Sequence, residues 1–273
     1  MKACVFIAAH CPPKVLKLTL GSWLNTYDGS YEAVVYVGLH KNFSDYHPGL
    51  DELKALEPHV RLNWVDEMDW REPMATGGIM AHIMRFSEMH ARSLRAMMVR
   101  ARSEHPDVTH VAFLDHDLIF KMDFVKWAMD SGMDMVGTLF ENRDEDREVE
   151  MDVGGKSIFA PKVSAWHMVA SRLMFDCMLE WPYLVMPGVH AGRVYDTLSR
   201  SYAYAKQWGL KTRILPEAEV AEMVVHMWSM SFNYGSKQVK QEEYERKVAL
   251  YEAEYDHRFP DGIGHLLAKL GGA

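Results

Sequence analysis

The chain has 273 residues, of which 48% are hydrophobic and 25% are charged. This composition fits a globular protein with a large core, either one large domain or one domain with appendages. The formal net charge of −8 argues against a general attraction to nucleic acid or to anionic membranes, but it leaves room for a local basic groove. No apolar run approaches the roughly 18–20 residues needed to span a bilayer. Three cysteines without paired metal-ligand spacing indicate a reducing compartment, and we expect a cytoplasmic protein.

The first third of the chain alternates between predicted strands and helices. Apolar runs at 4–9, 33–39 and 60–65 are predicted strands, and a short helix is expected before the third of them. Pro12 and Pro13 open a helix that runs to about residue 25, because proline in the first helical turn costs no internal hydrogen bond. This rhythm favours a doubly wound α/β sheet.

A long helix is predicted over about 79–104, after Thr76-Gly77-Gly78. One stripe of this helix is apolar and the remainder is strongly basic. The basic residues have two interpretations: a solvated face on a helix packed against the core, or one or two arginines that reach a diphosphate. Arg92 and Arg95 are the candidates for the second interpretation.

An apolar strand that ends in two carboxylates is the most informative stretch of the sequence. Residues 111–114 are continuously apolar, which suits a strand covered on both faces. Asp115 and Asp117 then fall at its carboxyl end, where open α/β sheets place their ligands. Two carboxylates this close repel each other unless a cation or a proton lies between them. We predict a divalent metal that holds a phosphate-bearing substrate; the alternative is a pair of acids that caps a turn. His116 is expected to point away from the metal, since neighbours on a strand face opposite sides.

The rest of the chain continues the alternation of strands and helices. The predicted elements are a helix at 123–131, a strand at 134–140, an acidic surface loop at 141–150, helices at 171–180 and 195–208, strands at 211–215 and 224–225, and a charged amphipathic helix at 237–255. We expect one domain over 1–235 and a C-terminal helical extension over 236–273 that packs on it.

The order of these pieces resembles that of the GT-A glycosyltransferases, in particular the inverting family-2-like members. In that family an Asp-x-Asp closes the fourth strand of a nucleotide-binding half, the position that Asp115-His116-Asp117 occupies here. The resemblance runs from about Lys2 to Ser231 as a succession of elements, not as a continuous match. It implies a GT-A-like nucleotide-binding fold, with a mostly parallel mixed sheet flanked by helices.

The resemblance also implies roles for the strand ends. Ala8, Ala9 and His10 would cradle the nucleotide, with Asp115 beside them. In Val224-Val225-His226-Met227-Trp228-Ser229, His226 resembles the histidine that completes the metal site with Asp115 and Asp117. Oxygen ligands suit Mn²⁺ or Mg²⁺, and Mn²⁺ accepts imidazole as well. A hydrogen-bonded core histidine is the alternative for His226.

The stretch Tyr195-Asp196-Thr197-Leu198-Ser199-Arg200 resembles the acidic helix of the inverting members, where a carboxylate deprotonates the acceptor hydroxyl. Asp196 matches that general base, although Tyr195 stands where many members have a second acid. The alternative is a helix cap or a surface acid. A second departure is Gly38-Leu39-His40-Lys41, which stands where many members carry paired acids near the nucleobase.

The leading hypothesis is therefore a metal-dependent, inverting transferase that moves a sugar from a nucleoside-diphosphate sugar to an acceptor hydroxyl. The acceptor stays open: a saccharide, a small molecule, a protein, or a hydroxymethylated DNA base as in phage-type DNA modification. Two other classes compete with it. One is a metal-dependent phosphohydrolase or nucleotidyltransferase, which would need further carboxylates near the metal. The other is a non-catalytic nucleotide-sugar binder, which would keep Asp115 and Asp117 without needing Asp196.

Overall fold

A seven-stranded mixed sheet forms the centre of the molecule. The computed structural model describes residues 1–9, 13–40, 60–65, 78–139, 149–161, 163–190, 193–195, 197–227 and 241–260. In these ranges the strands are β1 (Lys2–Ala9), β2 (Glu32–His40), β3 (Val60–Val65), β4 (His110–Leu114), β5 (Leu118–Phe120), β6 (Met135–Leu139), β7 (Val149–Val153), β8 (Lys156–Ala160), β9 (Val163–Ser171), β10 (Gly188–His190), β11 (Arg193–Tyr195), β12 (Thr212–Leu215) and β13 (Val224–His226).

Helices cover both faces of the sheet. The α-helices of the described residues are α1 (Pro13–Thr26), α2 (Gly78–Glu104), α3 (Phe124–Asp130), α4 (Arg172–Glu180), α5 (Ser199–Gln207), α6 (Glu217–Met223) and α7 (Gln241–Arg258). No described helix combines the length and the apolar character that a membrane crossing requires.

The main sheet has the strand order β12-β6-β9-β4-β1-β2-β3. The strands β3, β2, β1 and β4 run parallel to one another, and β12 runs parallel to β6. Between these two groups, β9 is antiparallel to both β4 and β6. The mostly parallel mixed sheet flanked by helices confirms the predicted α/β fold class.

The strand β1 shows why continuous apolar runs predicted this sheet correctly. Val5 and Ile7 enter the core on the α1 side, whereas Cys4 and Phe6 enter the core on the α2 side. A parallel strand covered on both faces has no solvent-facing side, so it needs apolar residues at every position. The strand β1 therefore lies between two hydrophobic cores, one on each face of the sheet.

Gly38, in one of the stretches that depart from the GT-A pattern, lies close against α2. A Cβ at this position in β2 would lie 2.1 Å from Ser93 Oγ and 3.1 Å from Met97 Cε, both on α2. The absence of a side chain thus lets α2 approach the sheet closely. This stretch of β2 packs against a helix.

The segment around Leu198 corrects the prediction of a helix at 195–208. Residues Arg193–Tyr195 form a strand that pairs with β10 as a hairpin, and α5 begins only at Ser199. Leu198 precedes the helix with a φ of 67°, and its side chain is fully buried. Apolar spacing predicted the helix but not its start, because a left-handed residue before a helix leaves no mark on hydrophobic periodicity.

The C-terminal helix α7 packs on α1. Asn25 Nδ2 donates a hydrogen bond to the hydroxyl of Tyr255 at 3.1 Å, and Val248 is buried in the same core. The predicted helix at 237–255 is thus observed at Gln241–Arg258, while 237–240 lie outside the described residues. The short helix predicted before β3 and most of the predicted loop at 141–150 also lie outside them. The division of the chain at residue 235 stays a prediction.

Candidate metal centre

The candidate centre lies where β4 ends, near the middle of the sheet. Leu114 is the last residue of β4 and pairs with Ile7 of β1, so Asp115 emerges beside Ala8. The chain then bends at residues 116–117 and continues as β5. The acids thus occupy the carboxyl edge of the parallel strands, where open α/β sheets bind ligands.

Three consecutive side chains converge at this bend. One ligand atom from each of Asp115, His116 and Asp117 lies within 4.8 Å of the other two. The Asp115 side chain is 23% exposed, whereas that of Asp117 is 4% exposed. Among the described residues this is the one group of three or more such side chains able to hold a metal ion.

His116 does not point away from the carboxylates, so that expectation is wrong. Its Nδ1 lies 2.9 Å from Asp115 Oδ1 and 3.2 Å from the carbonyl oxygen of Ala8. The expectation assumed a strand in which adjacent side chains alternate, but the backbone bends at this residue. The bend turns the ring back onto its neighbour.

The contact between Asp115 and His116 sets the charge of both groups. Burial raises the pKa of Asp115, but the charge and hydrogen bond of His116, with the charges of His90 and His226, outweigh burial and hold that pKa well below its usual range. Burial lowers the pKa of His116, but the charge and hydrogen bond of Asp115 and the charge of Asp117 raise it to about 9. Each of the two side chains therefore favours the charged form of the other.

His226 reaches this centre from β13. The strand β13 is antiparallel to β5, with His226 opposite Leu118, and the amide of Met227 donates to the carbonyl of Asp117 at 2.8 Å. His226 Nε2 lies 3.0 Å from Asp117 Oδ1. Adjacent ligands of an octahedral ion with bonds of about 2.1 Å are about 3.0 Å apart, so this spacing suits two ligands of one ion. Without an ion, the same contact between His226 and Asp117 is a hydrogen bond. A metal ligand and a hydrogen-bonded core histidine would therefore both show this distance.

Two further histidines surround the centre and were missed at the level of sequence. His90 of α2 lies close enough for its charge to lower the pKa of Asp115. His167 of β9 pairs with Leu114 and is fully buried, with Nε2 2.6 Å from Thr138 Oγ1. Neither lies at a metal-ligand spacing from Asp115 in the chain. The chain has 14 histidines, and residue type alone does not single out these two.

The burial of His167 predicts an acid-dependent loss of stability. Burial, followed by the charge of His226, lowers the pKa of His167 from 6.5 to about 3. Between these two values the unfolded chain binds a proton that the folded chain does not, so the free energy of unfolding falls as pH falls below 6.5. This one group contributes a slope of up to about 1.4 kcal/mol per pH unit.

The measurement is the free energy of unfolding by urea between pH 5 and pH 8, for the metal-free wild type and for His167→Gln. Glutamine does not titrate, so the variant should have the shallower slope whatever its stability at pH 8. Equal slopes would contradict a buried, neutral His167.

The other predicted residues were Ala8, Ala9, His10, Arg92 and Arg95. Ala8 and Ala9 are buried at the end of β1, and Ala8 contributes its carbonyl to His116. His10 lies outside the described residues. Arg92 is exposed and forms a salt bridge with Glu88 at 2.6 Å, as expected for a solvated helix face. A role of Arg92 or Arg95 at a diphosphate stays a prediction.

Asp196 lies outside the described residues, but its neighbours are placed. Tyr195 ends β11, and Thr197 is fully buried. The hydroxyl of Thr197 donates to the carbonyl of Ser87 on α2 at 2.8 Å. His90, which influences Asp115, lies one helical turn beyond Ser87. The chain that follows Asp196 is therefore connected through Thr197 to the helix that borders the centre.

Comparison with solved structures gives a likeness of fold. A nucleoside-diphosphate-sugar pyrophosphorylase from Vibrio cholerae is similar with a TM-score of 0.52 and 10% identity, over 90% of this chain and 99% of that chain. Residues 1–349 of S. aureus TarS align with a TM-score of 0.44 and 11% identity, over 94% of this chain and 69% of that chain. The sequence matches no protein-family model and no curated protein.

Proposed function

We propose that this protein is a metal-dependent enzyme of nucleotide-sugar chemistry, and that it transfers a sugar from a nucleoside-diphosphate sugar to an acceptor hydroxyl. The observation that carries the proposal is the convergence of Asp115, His116 and Asp117 at the carboxyl edge of the sheet, with His226 Nε2 3.0 Å from Asp117 Oδ1. Two carboxylates and an imidazole suit Mn²⁺, and the carboxylates alone suit Mg²⁺.

The residues of the centre have distinct roles in this proposal. Asp115, Asp117 and His226 hold the metal ion, which when bound neutralises the charge of the departing nucleoside diphosphate. His116 holds Asp115 through their 2.9 Å contact. The backbone at Ala8 and Ala9, with His10, receives the nucleotide. The arginines Arg92 and Arg95 are assigned to the diphosphate.

Asp196 is the proposed general base on the acceptor hydroxyl, with attack from the face opposite the leaving group and inversion at the anomeric carbon. Support comes from the chain beside it. Thr197 is bonded to α2, and Leu198 holds a left-handed φ of 67°. Such a conformation in a residue with a Cβ costs free energy and persists only where the surroundings impose it, as they often do at active sites.

The acceptor class is a saccharide, a small molecule, a protein or a hydroxymethylated base in DNA. The net charge of −8 counts against DNA, since binding to a polyanion draws most of its free energy from contacts with phosphates. A DNA acceptor would show an affinity that falls steeply as salt is raised. If transfer to the acceptor does not change with salt concentration, DNA is excluded as the acceptor.

Nucleotidyl transfer is the second candidate, in which a nucleoside triphosphate and a sugar 1-phosphate form a nucleoside-diphosphate sugar and pyrophosphate. The likeness of fold to the Vibrio cholerae pyrophosphorylase, over 90% of this chain, favours it. It uses the same metal centre but does not need a base on an acceptor hydroxyl. A non-catalytic nucleotide-sugar binder is the third possibility.

One pair of assays separates these candidates. In the first, a panel of nucleoside-diphosphate sugars is incubated with the protein, Mn²⁺ and a set of acceptors, and release of nucleoside diphosphate is measured. In the second, nucleoside triphosphates and sugar 1-phosphates replace the donors, and release of pyrophosphate is measured. We expect release in the first assay, faster with an acceptor and abolished by EDTA. Release in the second assay alone would establish nucleotidyl transfer, and donor binding without any product would indicate a binder.

A further inference from the structure

Two buried hydroxyl groups of α1 bond the backbone at the candidate metal centre and in the strand β5 that follows it. Thr19 Oγ1 donates to the carbonyl of His116 at 2.6 Å and accepts from the amide of Leu118 at 3.0 Å. These two backbone groups lie on either side of Asp117. Thr19 is fully buried, so water does not compete for either bond.

The second hydroxyl extends this contact along β5. Ser22 Oγ accepts from the amide of Phe120 at 3.0 Å. Among the described residues β5 pairs only with β13, so its other edge faces α1. Thr19 and Ser22 therefore satisfy the backbone amides that a neighbouring strand would satisfy in a wider sheet, and a buried amide requires such a partner.

Asp117 is thereby held from two sides. On one side, the amide of Met227 donates to its carbonyl at 2.8 Å. On the other side, Thr19 holds the peptide groups that precede and follow it. With both flanking peptides fixed, the Asp117 side chain has little freedom beyond its own rotamers, and its Oδ1 meets His226 Nε2 at 3.0 Å.

We infer that Thr19 is a positioning residue for the metal centre, because it fixes the backbone on both sides of Asp117 and so directs that carboxylate toward His226. The inference rests on the proposed function, in which Asp117 and His226 hold the ion. Groups that orient metal ligands without touching the ion affect metal affinity by about 10- to 100-fold. Ser22 bonds the same strand at the amide of Phe120, and its hydroxyl lies 3.5 Å from the carbonyl of Leu118. It bonds neither of the two peptide groups that flank Asp117, so it is not expected to have this effect.

The test compares three variants by titration with Mn²⁺ alone, following free Mn²⁺ by electron paramagnetic resonance. Thr19→Val keeps the shape of the side chain but loses the hydroxyl, and its affinity should fall by about 10- to 100-fold. Thr19→Ser restores the hydroxyl and should restore the affinity. Ser22→Ala removes the neighbouring hydroxyl and should bind Mn²⁺ as the wild type does.

A metal-free measurement accompanies the titration. Hydrogen exchange of the Leu118 amide should be faster in Thr19→Val than in the wild type and unchanged in Thr19→Ser. Unchanged exchange in Thr19→Val, wild-type affinity in Thr19→Val, or an equal loss of affinity in Thr19→Val and Ser22→Ala would each overturn the inference. Failure of the proposed function has a different signature: either the wild type binds no Mn²⁺ or Asp117→Asn binds it equally well, and either result also removes the inference.

Discussion

Replacement of Asp117 by asparagine should weaken Mn²⁺ binding by on the order of 100-fold or more and reduce turnover at least as much, since charge stabilisation by a metal ion contributes several kcal/mol. Asparagine has almost the same shape and keeps an oxygen that accepts a hydrogen bond from His226. The fold around β5 should therefore persist while the negative charge is lost. Mn²⁺ affinity and the rate of product release are the two measurements.

The same substitution at a carboxylate outside the centre, Asp123→Asn, is the control. Asp123 caps α3, where its Oδ1 accepts from the amide of Lys126 at 2.9 Å, and asparagine caps helices equally well. Asp123→Asn should leave Mn²⁺ affinity and turnover unchanged. If Asp117→Asn keeps both the affinity and the metal dependence of the wild type, then the metal centre is assigned to the wrong residues.

Replacement of Asp196 by asparagine should reduce sugar transfer to the acceptor by about 10²- to 10⁴-fold, the range that a general base contributes. The amide cannot accept the proton of the acceptor hydroxyl. Binding of Mn²⁺ and of the donor should not change, because Asp196 is assigned to neither. The measurements are transfer to the acceptor, hydrolysis of the donor by water, and Mn²⁺ affinity, all on the same preparation.

The control for this variant is Asp176→Asn. Asp176 is a surface acid of α4 that forms salt bridges with Arg172 and Arg102, and its loss should not affect transfer. Undiminished transfer in Asp196→Asn would show that another group is the base. A loss of Mn²⁺ affinity in Asp196→Asn would instead place Asp196 at the metal.

The buried strands could be predicted from sequence because their signal is local. The apolar runs of β1 and β4 follow from burial of both faces, and the predicted limits of β3 agree with those observed. The hairpin β10–β11 was not predicted. Its strands are three residues long, which is too short for a periodic pattern. The buried side chain of Leu198 also continued the helical pattern, so the predicted helix began before the true start of α5.

The residues of the candidate site also fall into those that have a local signal in the sequence and those that do not. Asp115 and Asp117 were predicted because two acids directly follow a buried strand, and His226 was predicted through the resemblance to a family. His90 and His167 were missed because nothing in their local sequence distinguishes them from other histidines. The direction of His116 was predicted wrongly because the rule of alternating faces assumes a straight strand.

Local sequence determined that two carboxylates would emerge from the buried sheet, since the burial of a strand is encoded residue by residue along it. Tertiary structure alone decided which groups meet those carboxylates. The carbonyl of Ala8 lies 108 residues from His116, His226 lies 109 residues from Asp117, and the hydroxyl of Thr19 lies 97 residues from the carbonyl that it bonds. Contacts over such separations depend on how β1, α1 and β13 pack around β4 and β5, and no local pattern of residues specifies that packing.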